Sequence, residues 1–150
     1  MTISADEFKA LEGKHLGVSE WFLVDQARIN QFAEVTRDFQ FIHVNEERAR
    51  ATPLGGTIAH GQLTLSLVPT LAEEVMPVVD GITMGFNYGY DRVRFLSPVR
   101  SGKRVRGSFS LKTVDLSKPG RIAFCMEVTI EIEGEDKPAL VADWLGLTMF

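Results

Sequence analysis

The sequence has too few cysteines and histidines for a disulfide framework or a recognisable metal site. Its 150 residues include one cysteine, Cys125, and three histidines, which allow no internal disulfide and show no familiar metal-ligand spacing. The net charge is −4 and charged residues make up 24% of the chain, so the sequence predicts no basic surface that would bind the phosphate backbone of a nucleic acid. We therefore expect no metal cofactor and no nucleic-acid partner.

The chain also lacks the features of a targeting segment or a membrane span. Residues 1–6 carry neither the basic stretch nor the apolar core of a signal peptide, and no apolar run approaches the length of a transmembrane helix. These absences predict a cytoplasmic protein with no membrane partner. Because 45% of the residues are hydrophobic, the chain can bury one core, and we expect residues 1–150 to form one domain.

Helix signals dominate the first third of the chain. Ser4 and Glu7 have the spacing of a capping box, which predicts a short helix at the start. A strand is expected over residues 18–24. Asp25 can then cap a second helix, whose apolar positions fall on one face as far as about Thr36.

The middle of the chain predicts a loop and a buried helix. Residues 38–43 break the helical periodicity and are expected to form a loop, and Asn45 is placed to begin another short helix. Residues 58–76 are apolar nearly all round, which is typical of a helix wrapped by other structure. Pro69 lies inside this stretch and predicts a kink or a break into two pieces.

From Gly81 onward the pattern changes to that of strands. Residues 122–132 alternate between apolar and polar side chains with period two, which predicts a half-buried strand. Further strands are expected near residues 105–111 and 139–149, joined as an antiparallel meander. Helices followed by consecutive strands predict an α+β domain in which the central helix covers one face of the sheet.

The residues best suited to catalysis are Asp38 and His43, which lie five positions apart. Addition of water to a double bond needs a base for the attacking water and an acid for the neighbouring carbon, and an aspartate with a histidine can supply both. Taken alone, the pair is more typical of a turn-capping aspartate and an ordinary loop histidine than of a catalytic pair. A second motif, Ile-Ala-His-Gly at residues 58–61, opens the predicted central helix.

These two motifs, together with Asn87-Tyr88-Gly89 farther along, resemble the MaoC-like dehydratases and R-specific enoyl-CoA hydratases. The resemblance implies a hotdog fold, which is a curved antiparallel sheet wrapped around a long central helix, and a homodimer joined edge to edge through its sheets. Gln40 and Phe41 stand where the family usually has asparagine and proline, and Arg37 stands where many members have a small residue. These departures affect the expected loop shape and substrate preference.

The resemblance also implies the roles of individual residues. Asp38 and His43 would be the catalytic pair for reversible addition of water to a trans-2-enoyl thioester, giving a (3R)-3-hydroxyacyl thioester in fatty acid metabolism. The backbone N–H of Gly61, at the start of a helix where such groups are unpaired, would stabilise the thioester oxygen. Coenzyme A would arrive as part of the substrate, with no separate cofactor. The residues expected to bind substrate are His60, Asn87, Tyr88 and Gly89.

Some of these assignments compete with structural roles, and two other functions remain open. His60 is also typical of a residue that fixes the start of a helix by hydrogen bonding. Tyr88 is also typical of a residue that packs against a sheet. A hotdog acyl-CoA thioesterase would share the fold and ligand, although His43 argues against it. A non-catalytic acyl-CoA-binding subunit would have no chemical need for both Asp38 and His43. The acyl chain length, the direction of reaction, and the choice between coenzyme A and an acyl carrier protein are not determined by the sequence.

Overall fold

The computed structural model describes residues 2–150, which form helices in the first half and long strands in the second. None of the helices within this range is both long and apolar enough to cross a membrane. The elements are β1 (Thr2–Ile3), α1 (Ala5–Lys9), β2 (His15–Val18), β3 (Phe22–Val24), α2 (Gln26–Thr36), α3 (Phe41–Val44), α4 (Glu46–Arg50), α5 (Gly61–Ser66), α6 (Val68–Glu73), β4 (Val78–Val79), β5 (Met84–Phe95), β6 (Lys103–Asp115), β7 (Arg121–Ile132) and β8 (Leu140–Met149).

The predicted helix starts are confirmed by their capping contacts. Ser4 and Glu7 form the reciprocal capping box of α1. The side chain of Asp25 accepts a hydrogen bond from the backbone N–H of Arg28 at 2.9 Å and caps α2. The single strand predicted over residues 18–24 is wrong in one respect, because residues 19–21 interrupt it and leave β2 and β3 as separate pieces. At the interruption, the side-chain oxygen of Ser19 accepts a hydrogen bond from the backbone N–H of Gly107 in β6.

The central helix consists of two short segments, α5 and α6, that meet at Leu67. Pro69 lies in the first turn of α6, where its missing N–H would have had no intrahelical partner. The predicted break near Pro69 is therefore confirmed. The helical region is shorter than the predicted stretch of residues 58–76, because residues 58–60 are extended and Ile58 forms a β-bridge with Arg100.

The main sheet has six strands in the order β2–β6–β7–β8–β5, with β3 also paired to β6. Strands β6, β7 and β8 form the predicted antiparallel meander. Strand β5 lies outside this meander, because it pairs with β8 at the far edge of the sheet. Residues 96–102 carry the chain from that edge strand to β6, held by a hydrogen bond from Ala59 N to Val99 O at 2.7 Å.

The core lies between α6 and the inner face of the sheet. Val68, Leu71 and Ala72 of α6 are fully buried with the inner residues of β6, β7 and β8. The predicted alternation over residues 122–132 is confirmed, since its even-numbered apolar positions are buried. Strand β5 differs from the others because most of its residues are exposed.

Candidate active site

The loop after α2 places Asp38 at the surface and leads directly to His43. Helix α2 ends at Arg37, which adopts a left-handed conformation with φ of 61°, and Asp38 follows on an exposed loop. The predicted loop continues only to Gln40, because residues 41–44 form the short helix α3. His43 lies on that helix and is buried, with 7% of its surface exposed.

The ring of His43 is held in one tautomer. Its Nδ1 lies 2.8 Å from the backbone carbonyl oxygen of Ile58. A carbonyl oxygen can only accept, so Nδ1 carries the proton, and Nε2 of the neutral ring carries a free lone pair. Burial lowers the pKa of His43, and the neighbouring His60 lowers it further, whereas the Ile58 carbonyl and Asp38 act in the opposite direction. The balance favours the neutral ring.

A hydrogen-bond network holds the backbone at both ends of the hydrogen bond between His43 and Ile58. Gln26 Nε2 donates to the carbonyl oxygen of His43 at 2.7 Å. The hydroxyl of Thr57, which is 3% exposed, lies 2.6 Å from Gln26 Oε1 and 2.8 Å from Glu46 Oε2. The Thr57 backbone N–H also donates to Glu46, and these contacts hold the pKa of the Glu46 carboxyl below its usual value. His43 and the adjacent Ile58 are thereby fixed in place.

His60 lies beneath the pair and contacts both of its members. Its ring stacks on that of His43 with 3.8 Å between centroids, and its Nε2 lies 3.0 Å from the backbone carbonyl oxygen of Asp38. His60 occupies the N-cap position of α5, but its side chain makes no capping hydrogen bond. The side-chain hydrogen bond expected at the helix start goes to Asp38 instead. His60 is 2% exposed. Unlike His43 and Gly61, it does not line the neighbouring cavity of about 430 Å³.

A cavity of about 430 Å³ adjoins His43 and Gly61. Its other walls are mainly apolar and include Ala59, Phe95, Leu96, Pro98 and Val99. Gly61 packs closely against Phe95. A Cβ atom added at Gly61 would lie 3.0 Å from the Phe95 ring. The cavity therefore has the size and wall chemistry of a small-ligand site, with the neutral imidazole as one of its polar groups.

Asp38, His43 and His60 each offer one ligand atom, and these atoms lie within 4.8 Å of one another. The two imidazole planes are stacked at 23°, and each ring has one nitrogen bonded to a backbone carbonyl. Lone pairs in two nearly parallel ring planes do not converge on one ion, so the arrangement fits a bridging water better than a metal. The absence of a metal cofactor stays a prediction.

The structure does not bring Asn87, Tyr88 and Gly89 to this cavity. They lie in the edge strand β5, where Asn87 accepts a hydrogen bond from Trp144 Nε1 at 3.2 Å. Asn87 lines a different cavity of about 300 Å³, and Tyr88 is 73% exposed. Among residues 2–150, no atom beyond Gly89 and its two chain neighbours lies within 4 Å of the position that a Cβ at Gly89 would take.

Sequence reasoning missed three residues that shape the site: Gln26, Thr57 and Phe95. Gln26 and Thr57 are 31 positions apart and meet only through tertiary contacts. Phe95 belongs to the edge strand, and no short-range pattern links it to Gly61. No spacing rule for a known chemistry would have identified any of them.

The chain is similar to known proteins over most of its length. A family model described as MaoC like domain matches residues 7–134. Nodulation protein N of Rhizobium meliloti is 49% identical over 149 residues, which cover 99% of this chain and 92% of that protein. The 3-hydroxyacyl-thioester dehydratase Z of Mycobacterium tuberculosis is 43% identical over 140 residues, covering 93% of this chain and 92% of that protein.

Among solved structures, the (R)-hydratase from A. caviae involved in PHA biosynthesis superposes with a TM-score of 0.72. It is 22% identical, and the match covers 87% of this chain and 94% of that one. At this identity the likeness shows the fold alone, which is the hotdog fold: a curved antiparallel sheet packed around a central helix.

Proposed function

The chain belongs to the MaoC-like family, and we propose that it adds water reversibly to a trans-2-enoyl thioester, giving a (3R)-3-hydroxyacyl thioester. Asp38 and His43 are the catalytic pair in this proposal. The observation that carries it is the hydrogen bond from His43 Nδ1 to the carbonyl oxygen of Ile58, which leaves Nε2 of His43 free to accept a proton. His43 lines the cavity, and Asp38 lies beside it. The 43% identity to a 3-hydroxyacyl-thioester dehydratase supports the thioester substrate.

In this mechanism one water bridges the two side chains. His43 Nε2 accepts one of its protons, and the Asp38 carboxylate accepts the other in a hydrogen bond. As the water oxygen bonds to C3, His43 takes up the proton, and the pair then delivers a proton to C2, so that both groups return to their starting states. Proton transfer by positioned side chains contributes about 10² to 10⁴-fold in rate.

Gly61 supplies the third element of the proposed site. Its backbone N–H belongs to the first turn of α5, where it has no intrahelical partner, and Gly61 lines the same cavity as His43. Negative charge develops on the thioester oxygen as C3 is attacked. A fixed donor at such an oxygen is worth about 2.7 to 4 kcal/mol of transition-state stabilisation.

The same proposal includes a homodimer. Strand β5 lies at one edge of the sheet, and it exposes the large side chains of Met84, Phe86 and Tyr88. An exposed edge strand with apolar side chains is a template for pairing with another strand. A second copy joined along β5 would continue the sheet. Coenzyme A as the carrier within the substrate, a fatty acyl chain and a cytoplasmic setting belong to this proposal too.

The test follows the loss of enoyl-thioester absorbance with crotonyl-CoA and with a longer trans-2-enoyl-CoA. Asp38→Asn and His43→Ala should each lower kcat by about 10² to 10⁴-fold. Asp136→Asn and His15→Ala are the matched controls, since both side chains are exposed and lie outside the candidate site, and they should leave kcat unchanged. Chiral analysis of the product should identify the (3R) isomer.

Two results would contradict the proposal and favour the alternatives. Release of free thiol from saturated acyl-CoA, with no enoyl consumption, would favour a thioesterase. Binding of enoyl-CoA without turnover at any chain length would favour a non-catalytic subunit.

A further inference from the structure

His60 is a buried polar group of the candidate site, 2% exposed, and one contact fixes which of its ring nitrogens carries the proton. Its Nε2 lies 3.0 Å from the carbonyl oxygen of Asp38, which can only accept, so Nε2 carries the proton. The other ring nitrogen, Nδ1, is buried and has no hydrogen-bond partner within residues 2–150. His60 thus acts on Asp38 as a hydrogen-bond donor.

The His60 ring also contacts two aromatic rings. His43 stacks on His60 at 3.8 Å between centroids, and Phe32 of α2 packs against it at 5.0 Å with the planes tilted by 54°. The imidazole therefore cannot turn freely, and its Nε2–H has a fixed direction. A donor fixed in this way can fix the position of the group that accepts from it.

Asp38 needs such an anchor because its other hydrogen bonds are local. Its N–H reaches Thr36 Oγ1 at 3.4 Å, and its Oδ1 accepts from the Gln40 backbone at 3.3 Å. Both distances are long, and both partners lie within two residues of Asp38 in the chain. The bond to His60 spans 22 positions and ties that loop to the buried part of the site.

We propose that His60 is a positioning residue: its Nε2–H holds the Asp38 backbone so that the carboxylate stays beside His43. This inference rests on the proposed hydration. His60 contacts neither the cavity nor, in the proposed mechanism, the substrate, so it acts through Asp38. It differs from a capping role, because its side chain makes no capping hydrogen bond to α5.

The first experiment compares two substitutions that separate the ring from the donor. His60→Phe keeps an aromatic ring for the stack and removes the donor, whereas His60→Gln removes the ring and keeps an amide N–H near the position of Nε2. We expect His60→Phe to lower kcat for crotonyl-CoA by about 10 to 100-fold, since a misplacement of 1 Å can cost about 100-fold. KM should change by less than about threefold, because bound substrate is not contacted. His60→Gln should recover most of kcat.

A double-mutant cycle tests whether the effect passes through Asp38. In the Asp38→Asn background, His60→Phe should lower kcat by no more than about threefold, because residues that act as a unit are not additive. Equal losses in both backgrounds would overturn the proposal, as would a folded His60→Phe protein with nearly unchanged kcat, or His60→Gln no better than His60→Phe. His15→Phe, at an exposed histidine of β2, is the control.

A spectroscopic measurement on the unmodified protein covers the case in which the variants do not fold. ¹⁵N-resolved NMR of the imidazole rings distinguishes the two tautomers. The proposal requires the Nε2–H tautomer for His60 and the Nδ1–H tautomer for His43, and an Nδ1–H tautomer at His60 would overturn it. If the wild type hydrates no enoyl thioester, the proposed function fails, whereas an active wild type with an insensitive His60 contradicts only this inference.

Discussion

His43 donates its Nδ1–H to the carbonyl oxygen of Ile58 across 2.8 Å, which joins the first sequence motif to the second. Ile58 opens the Ile-Ala-His-Gly segment, and the same segment places His60 under the His43 ring. One hydrogen bond therefore sets both the tautomer of the base and the spacing of the two motifs.

The pH dependence of activity should reflect the burial of His43. Burial lowers the pKa of His43 below 6.5, and His60 lowers it further. Only the neutral ring can accept a proton from water, so the acidic limb of kcat/KM should be centred below pH 6.5. The measurement is kcat/KM for crotonyl-CoA from about pH 5 to pH 8. An acidic limb centred at or above pH 6.5 would contradict this expectation.

The same pKa shift should make stability depend on pH. The unfolded chain binds the His43 proton near pH 6.5, whereas the folded chain binds it only at lower pH. Between those two pH values the unfolded state holds more protons, so the free energy of unfolding decreases as the pH falls. Urea denaturation of wild type and His43→Gln at several pH values should show a weaker dependence in the variant. Parallel curves would show that His43 contributes nothing to it.

Thr57 should be sensitive to loss of its hydroxyl. Thr57→Val leaves Gln26 and Glu46 without the buried hydroxyl between them, and loss of such a bond costs about 1 to 3 kcal/mol. We expect a decrease of that size in the free energy of unfolding, measured by urea denaturation, and little loss in Thr57→Ser. Thr113→Val, on an exposed position of β6, should cost much less. Equal effects at Thr57 and Thr113 would argue against the network.

Gly61 should tolerate no side chain, because of Phe95. An alanine Cβ would lie 3.0 Å from the Phe95 ring, so either the ring or the start of α5 must move. We expect Gly61→Ala to lower kcat/KM by about tenfold or more, given the cost of small misplacements. Adding Phe95→Leu should restore part of the loss. Gly85→Ala, whose Cβ would make an ordinary 3.6 Å contact, is the control, and an equal loss there would contradict the explanation.

The edge strand should control association. The wild type should sediment with twice the 16.7 kDa mass of one chain. Tyr88→Lys places a charge on the exposed edge and should shift the mass to 16.7 kDa, because lysine at an edge disfavours strand pairing. Val78→Lys, at an exposed apolar residue outside the main sheet, should not. A wild-type mass of 16.7 kDa would refute the homodimer.

Local signals predicted much of the fold because their physics involves near neighbours in the sequence. The capping residues Ser4 and Asp25 satisfy N–H groups three positions away, and Pro69 restricts its own turn. The alternation over residues 122–132 follows from the pleat of a single strand. The position of β5 was not predictable in this way, because its pairing with β8 joins residues 45 to 65 positions apart in the chain.

The sequence by itself determined the residue types and their local setting: an aspartate on a loop, a histidine five positions later, and a His-Gly pair at a helix start. Only the tertiary structure decided how these groups work on one another. The stacking of His43 on His60, the bond from His60 to Asp38 and the bond from His43 to Ile58 join segments that are 15 to 22 positions apart. Such contacts depend on how the helices pack against the sheet, and no short-range pattern of residues encodes the direction of a ring nitrogen.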